Sequence, residues 1–292
     1  MNIVKLQGGL GNQMFQYAYG RGLALRLGRD VVFDDEELNE FSPKARHHVA
    51  RQYDLSIFRV KVQFARTGDV NRLKRRTTIS LLDRVANRLL GRKASYLLEP
   101  HFNFAQAMYD PPDETYLQGY WQTDRYFAET EASLREEFQF VEPLATSATS
   151  LVDEIESSQS VCVNVRRGDF LVNQFHGFHG TDYFRAADKI VRERIADHKY
   201  FVFSDDIEWC IDNLAFLDGA TFVGHDHAGN KFQDYLRLMA ACKHFVIPNS
   251  SFAWWAVWFN READKLVVAP KAWFQDPKVD TTDLIPSDWV RI

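Results

Sequence analysis

The sequence predicts an α/β fold made of two Rossmann-like domains that face each other across a cleft. The chain has 292 residues, which is enough for about two domains. Short apolar runs alternate with helical patterns through its second half, as they do in doubly wound parallel sheets. The first half opens with the same alternation around a glycine turn at 8–11.

In the first half, a strand is predicted at 2–6, a helix at 13–27 and a second strand at 31–33, before the pattern becomes irregular. The Ser-, Thr- and Ala-rich stretch 145–150 predicts a linker. We therefore expect one domain at 1–148 and a second at 149–292. In one version of this prediction, the C-terminal tail packs against the first domain.

In the second half, the predicted strands are short continuous apolar runs, as expected when helices cover both faces of a sheet. These strands are 161–165, 200–203, 221–223, 244–247 and 265–269. The helices between and after them are 181–198, 207–214, 232–242 and 251–260.

Composition places the chain among ordinary globular proteins, with 46% apolar and 26% charged residues. No apolar run reaches the roughly 18 residues of a membrane helix, and the N-terminal residues lack the apolar core of a signal peptide, so we expect a cytoplasmic protein. The cysteines Cys162, Cys210 and Cys242 are widely spaced and lie among apolar neighbours. This spacing predicts buried reduced thiols.

The net charge of −5 argues against a nucleic-acid partner, but the charge is unevenly distributed. Residues 59–93 contain eleven Lys or Arg and two Asp, and 79–90 carries apolar residues at helical spacing. One interpretation is a helix that packs on its own domain. The other is a peripheral contact with the anionic inner face of a membrane.

The most informative segment follows the predicted strand 161–165. It carries Asn164, Arg166, Arg167 and Asp169. In open α/β sheets the carboxyl ends of the strands are where ligands bind. Adjacent arginines there indicate an anion, and the planar guanidinium suits phosphate. The alternative interpretation is a structural Arg–Asp ion pair.

Polar side chains also follow two other predicted strands of the second half. They are Ser204, Asp205 and Asp206 after 200–203, and Asn249, Ser250 and Ser251 after 244–247. A helix that begins at Ser or Asn presents backbone N–H groups to a phosphate. A carboxylate at a neighbouring strand end can accept the N–H donors of guanine. Singly these residues are helix caps, but together they predict a nucleoside-diphosphate site.

The glycine turn also allows a different class of enzyme. Gly9 and Gly11 match two glycines of the dinucleotide fingerprint, and Asp34 is spaced to hold a ribose, but Met14 replaces the third glycine. An NAD(P)-dependent oxidoreductase is therefore the alternative enzyme, although it gives Arg166 and Arg167 no role. A P-loop kinase is excluded because no Gly-Lys-Ser/Thr follows a glycine loop.

Five segments resemble, in order, the motifs of the α-1,2-fucosyltransferases of glycosyltransferase family 11. These segments are 8–18 (GGLGNQMFQYA), 118–122 (QGYWQ), 165–170 (VRRGDF), 203–206 (FSDD) and 249–255 (NSSFAWW). The likeness extends from residue 3 to about 274. Asn164 stands where the family pattern has His, which puts proton transfer at this position in doubt.

The resemblance implies a GT-B fold and inverting transfer of L-fucose from GDP-β-L-fucose to the 2-hydroxyl of a terminal β-galactoside. It implies no metal and no cofactor, and a galactose-terminated oligosaccharide or a lipid-linked glycan as acceptor. Arg166 would bind the pyrophosphate with support from Arg167, and Asp169 would orient the arginines or the acceptor. The remaining donor-binding residues would be Asn12, Asn164, Ser204, Asp205, Asp206, Asn249, Ser250, Ser251 and Phe252.

The acceptor would bind in the first domain, where Tyr120 and Trp121 can stack on sugar faces, with His179 as a further candidate. Asp169, His179 and Asp34 all remain candidates for the base. His176 and His179 have zinc-like spacing but lack an evident third ligand. A nucleotide-sugar binding protein without catalysis is the non-enzymatic alternative.

Overall fold

The computed structural model describes residues 1–39, 52–75, 95–171, 173 and 175–292. The described chain forms two compact units, Met1–Gln139 and Phe140–Ile292. This division lies nine residues before the expected boundary at 148/149, and the stretch expected to be a linker begins a helix of the second unit. The helix predicted within 79–90 lies outside the described residues, and the membrane contact expected of 59–93 stays a prediction.

The first unit is built on a parallel four-stranded sheet. In chain order its strands are β1 (Asn2–Lys5), β2 (Val31–Asp34), β3 (Tyr96–Leu98) and β4 (Tyr116–Gln118), and their spatial order is β2-β1-β4-β3. Its helices are α1 (Leu10–Leu27), α2 (Glu36–Asn39), α3 (Thr67–Arg75), α4 (Gln106–Tyr109) and α5 (Glu131–Glu137).

Helix α1 packs unusually close to its neighbours because of two glycines. A Cβ on Gly20 would lie 2.7 Å from the ring of Phe33, and one on Gly22 would lie 2.8 Å from the carbonyl oxygen of Tyr126. Gly28 ends the helix in the left-handed conformation, at φ 59°. Gly20 and Gly22 therefore allow α1 to pack closely against β2 and the backbone at Tyr126.

A buried ion pair also holds α1 in place. Glu137 is 4% exposed, accepts a 2.6 Å hydrogen bond from the hydroxyl of Tyr17 and binds Arg21 through two guanidinium nitrogens. We expect Glu137→Gln to lower the free energy of unfolding by about 2 kcal/mol, because it leaves Arg21 without its charge partner in a largely buried position. Urea denaturation would measure the change.

The matched control for that experiment is Glu114→Gln, since Glu114 pairs with Arg72 on the surface of the same unit. Exposed pairs contribute roughly 0.2–1 kcal/mol, so the control should change stability much less. Equal losses in the two variants would contradict the role assigned to Glu137.

The second unit is built on a parallel six-stranded sheet. In chain order its strands are β5 (Gln159–Val165), β6 (His198–Ser204), β7 (Thr221–Phe222), β8 (His244–Val246), β9 (Val267–Ala269) and β10 (Val290–Arg291), and their spatial order is β10-β9-β8-β5-β6-β7. Its helices are α6 (Thr146–Ser157), α7 (Thr181–Arg194), α8 (Ile207–Asn213), α9 (Gln233–Ala241) and α10 (Ser251–Phe259).

The mixed α/β architecture with parallel sheets confirms the predicted fold class. The cysteines Cys162, Cys210 and Cys242 are free and buried, as expected. Trp254 and Trp255 of α10 are buried, and the indole N–H of Trp254 donates a 3.0 Å hydrogen bond to the carbonyl of Leu284. Among the described helices, none combines the length and the apolar character needed to cross a membrane.

Candidate functional site

The strand order of the second unit reverses between β5 and β8. Within the sheet, β6 and then β7 lie on one side of β5. The next strand, β8, pairs with the opposite side of β5. Ligands of open α/β sheets bind where the strand order reverses in this way, beyond the carboxyl ends of the strands. Residues 166–169 follow β5 and residues 247–250 follow β8, so both predicted phosphate-binding segments lie at this strand reversal.

Two carboxylates hold Arg166 in place. Its guanidinium lies 2.7 Å from an oxygen of Asp169 and 3.1 Å from an oxygen of Asp205, and the side chain is 30% exposed. A guanidinium has five N–H donors, so these two contacts leave up to three for an incoming anion. The arginine is therefore oriented before any ligand arrives.

Asp205 organises the whole loop. One of its oxygens accepts the backbone N–H of Arg167 at 2.9 Å, and the other accepts the backbone N–H of Gly168 at 3.1 Å in addition to the contact with Arg166. A Cβ on Gly168 would lie 2.8 Å from the carboxylate. The glycine thus permits the close approach that lets one aspartate bind three groups.

Arg167 and Asp206 form a second ion pair beside the first. The guanidinium of Arg167 lies 5.2 Å from the ring centre of Trp209 and 5.9 Å from that of Phe178. Asp206 caps α8 by accepting the backbone N–H of Trp209 at 3.2 Å. Arg167 is therefore held by an ion pair among aromatic rings, and its supporting role in donor binding stays a prediction.

Both aspartates after β6 consequently have partners within the protein. The predicted role of Asp205 or Asp206 in binding guanine stays a prediction, and it would require one of them to exchange a partner. Ser204 accepts the backbone N–H of Asp206 at 2.9 Å, and the carbonyl of Ser204 lies 2.9 Å from Nε2 of His225. His225, which contacts this strand end from a loop after β7, was not singled out from the sequence as a site residue.

Asn164 is buried and bonds within the sheet. Its side-chain amide donates to the carbonyl of Phe203 on β6 at 3.2 Å, and the same nitrogen lies 3.9 Å from the sulfur of Met239. At the position where the family pattern has His, the side chain of Asn164 thus forms a hydrogen bond to the neighbouring strand.

The helix α10 begins at a capped turn directly after β8. Ser250 caps α10 by accepting the N–H of Ala253 at 3.4 Å, and Ser251 and Phe252 form the first turn, half-buried. Asn249 donates to the carbonyls of His176 and Trp273, and its buried side-chain oxygen has no hydrogen-bond partner among the described residues. Hydrogen bonds of Asn249 and Ser250 within the second unit therefore hold this turn in place.

Two histidines lie on the loop between β5 and α7. Burial lowers the pKa of both His176 and His179, and the ring of His176 stacks on Phe170 at 4.8 Å. No three potential metal ligands cluster within the described ranges. The ring of Phe170 lies 5.7 Å from the guanidinium of Arg166, so this loop adjoins the arginine.

A cavity of about 320 Å³ opens beside this loop. Its lining residues are Phe170, Leu171, Asn173, Gly177, Phe178 and Gln275. The walls combine aromatic rings with side-chain amides, which is a suitable chemistry for the apolar face and the polar edge of a base or a sugar.

In the first unit the strand order also reverses, between β1 and β4. Asn12, in the first turn of α1, accepts a 2.8 Å hydrogen bond from the side chain of Gln122, which follows β4. Tyr120 is half-buried at the same edge, whereas Trp121 is fully buried and stacks on Tyr19 with ring centres 4.0 Å apart. Trp121 therefore packs the core, and of these two predicted acceptor residues Tyr120 alone keeps exposed surface.

Asp34 has an internal role in this structure. Its carboxylate accepts a 2.6 Å hydrogen bond from Tyr116 and a 3.2 Å contact from Lys74, and the residue is 5% exposed. It is thus not placed to bind a ribose or to act as a base. The dehydrogenase interpretation loses the acidic residue on which it depended.

Comparisons with known proteins identify the family of this chain. The profile of Glycosyl transferase family 11 matches residues 95–292. The chain is 30% identical to an alpha-1,2-colitosyltransferase of Escherichia coli, over 99% of this chain and 98% of that protein. It is 27% identical to the human galactoside alpha-(1,2)-fucosyltransferase 1, over 49% of this chain and 42% of that protein.

The fold is similar to that of the fucosyltransferase NodZ from Bradyrhizobium, with a TM-score of 0.51 at 15% identity over 89% of this chain and 92% of that chain. This likeness concerns the GT-B fold. The match to the colitosyltransferase covers 99% of this chain, and the family profile covers residues 95–292. The chain belongs to glycosyltransferase family 11.

Proposed function

We propose that this glycosyltransferase moves L-fucose from GDP-β-L-fucose to the 2-hydroxyl of a terminal β-galactoside, with inversion at the anomeric carbon. The observation that carries the proposal is Arg166, held by Asp169 and Asp205 at the strand reversal with donors left for a pyrophosphate. The named linkages of the two relatives, alpha-1,2 in both cases, support the position of transfer.

The chemistry requires stabilisation of the leaving group. As the bond between the anomeric carbon and the phosphate oxygen breaks, negative charge develops on GDP and the sugar becomes cation-like. Preorganised donors are most effective when they point at the developing charge. In this chain Arg166 and the N–H groups at the start of α10 would supply them, with Arg167 and Asp205 keeping the loop in position.

Because arginine and backbone N–H groups can stabilise the negative charge on GDP as a divalent cation would, we expect transfer without added metal. The test is incubation with GDP-fucose and a panel of β-galactosides, with and without EDTA, followed by NMR analysis of the new linkage. An α-1,2-fucosyl product at equal rates in both conditions is the expected result. A rate that falls with EDTA and returns with Mg²⁺ or Mn²⁺ would contradict it.

GDP-linked colitose should be tested as a second donor in the same assay. The reason is that the relative with 30% identity over 99% of this chain is named a colitosyltransferase. Parallel reactions with GDP-linked fucose and GDP-linked colitose at limiting concentration would give the ratio of kcat/KM for the two sugars. We expect fucose to be preferred; a preference for colitose would replace the proposed donor and leave the roles of the arginines unchanged.

A further inference from the structure

Glu99 lies at the end of β3, on the same sheet edge as the loops after β1 and β4. It is half-buried, and its two carboxylate oxygens accept the backbone N–H groups of Tyr120 at 2.6 Å and Trp121 at 3.1 Å. Its own N–H donates to the carbonyl of Gln118 at 2.8 Å. The carboxylate is therefore fixed against the turn that follows β4.

This turn is unusual in its backbone. Trp121 has a φ of 56°, a conformation that bulky residues rarely adopt and that is found mostly where the surrounding structure enforces it, often at functional sites. A Cβ on Gly119 would lie 2.5 Å from the Cβ of Glu99, so only glycine allows this approach. The side chains of Gln7 and Gln16 both donate to the carbonyl of Gly119 and brace the turn from below.

The environment of Glu99 changes its acid–base behaviour. Burial raises the pKa of this carboxyl group to about 7, even though the two backbone N–H donors oppose the shift. A carboxylate with a pKa near the working pH is a more effective base than an ordinary one. The other carboxylates considered for this role are bound to cationic or hydroxyl groups of the protein, Asp169 to Arg166 and Asp34 to Tyr116 and Lys74.

An aromatic surface adjoins the carboxylate. Tyr120, whose backbone N–H binds Glu99, stacks on Phe102 with ring centres 6.3 Å apart, and both rings are half-buried. Sugars place their apolar C–H faces on aromatic rings and direct their hydroxyl groups to polar atoms at the ring edge. An aromatic surface beside a carboxylate is thus a suitable subsite for a hexose.

We propose that Glu99 is the catalytic base, and that the acceptor sugar lies on Tyr120 and Phe102 with its reacting hydroxyl at the Glu99 carboxylate. The inference rests on the function proposed above. As the hydroxyl oxygen bonds to the anomeric carbon, its proton passes to Glu99, and GDP leaves with the electron pair of the broken carbon–oxygen bond. Glu99 then returns the proton to water.

The test compares pH profiles of kcat/KM for the acceptor in the wild type, Glu99→Gln and Glu99→Asp. The wild-type rate should fall below a midpoint near pH 7, because protonation of Glu99 removes the base. Glu99→Gln should be slower by roughly a hundredfold at neutral pH and should lose this acidic limb. Glu99→Asp should be slower but keep the limb, and GDP affinity, measured by calorimetry, should stay the same in both variants.

Gln16→Leu separates catalysis from support of the turn, because it removes a donor to Gly119 and leaves Glu99 in place. We expect a lower melting temperature with the acidic limb retained. The inference is overturned if Glu99→Gln keeps the limb, if Gln16→Leu loses it, or if the wild type shows no limb near pH 7. A wild type that transfers no sugar from either donor overturns the proposed function itself, and the inference with it.

Discussion

Replacing Arg166 with alanine is expected to lower kcat by roughly 150-fold, which corresponds to about 3 kcal/mol of transition-state stabilisation. The guanidinium sits at the strand reversal and is oriented by Asp169 and Asp205, so it is ready to meet charge that develops on the leaving diphosphate. Steady-state assays at saturating GDP-fucose would measure the effect. Near wild-type turnover in this variant would show that the role is assigned wrongly.

Arg166→Lys should recover little of the lost rate, because lysine cannot bind two carboxylates and a phosphate with one planar group. The matched control is Arg192→Ala in the same unit. Arg192 pairs with Asp188 and Asp218 on the surface, away from the strand ends, and its loss should leave kcat unchanged.

Replacing Asp205 with alanine is expected to weaken GDP binding at least tenfold and to lower the free energy of unfolding by about 2 kcal/mol. Simple Coulomb attraction predicts the opposite sign for binding, since the variant removes a negative charge near an anion. We expect loss of the loop to outweigh it, because Asp205 holds the Arg166 side chain and the N–H groups of Arg167 and Gly168.

Calorimetric titration with GDP and urea denaturation would measure the two effects of Asp205→Ala. Asp205→Asn should fall between the wild type and the alanine variant, because an amide oxygen can still accept one or two of the three contacts. Asp218→Ala, at an exposed carboxylate of the same unit, should change neither quantity. Tighter GDP binding by Asp205→Ala would mean that repulsion, and not the order of the loop, governs affinity.

The fold of the second unit could be predicted closely from the sequence, because a sheet covered on both faces produces continuous apolar runs. The strands at 161–165 and 200–203 were predicted within the observed β5 and β6. In the first unit β3 was missed, since Tyr96–Leu98 has no fully buried residue and follows a long basic segment. Residues 145–150 were expected to be a linker, yet helix α6 begins at Thr146 because Ala148 and Leu151 pack inward.

The placement of the candidate site could also be predicted, since parallel strands bring the residues after their carboxyl ends to one edge. The contacts that these residues make within the protein could not be predicted. Nothing in the spacing of Asp205 indicates that it binds the loop of Arg166, and the aromatic character of Trp121 does not show that it is buried. Glu99 was overlooked because its importance depends on β3 and on a turn twenty residues later.

The strand order of the second unit has a consequence for how the protein is made. The central strand β5 needs β8 on one side, with Val161 opposite His244, so it stays unpaired on that edge until most of the unit has left the ribosome. Parallel pairings between distant segments form slowly and leave apolar edges open to other chains. Slower synthesis at lower temperature should therefore raise the soluble yield, and truncation before β8 should yield aggregates in place of a smaller folded unit.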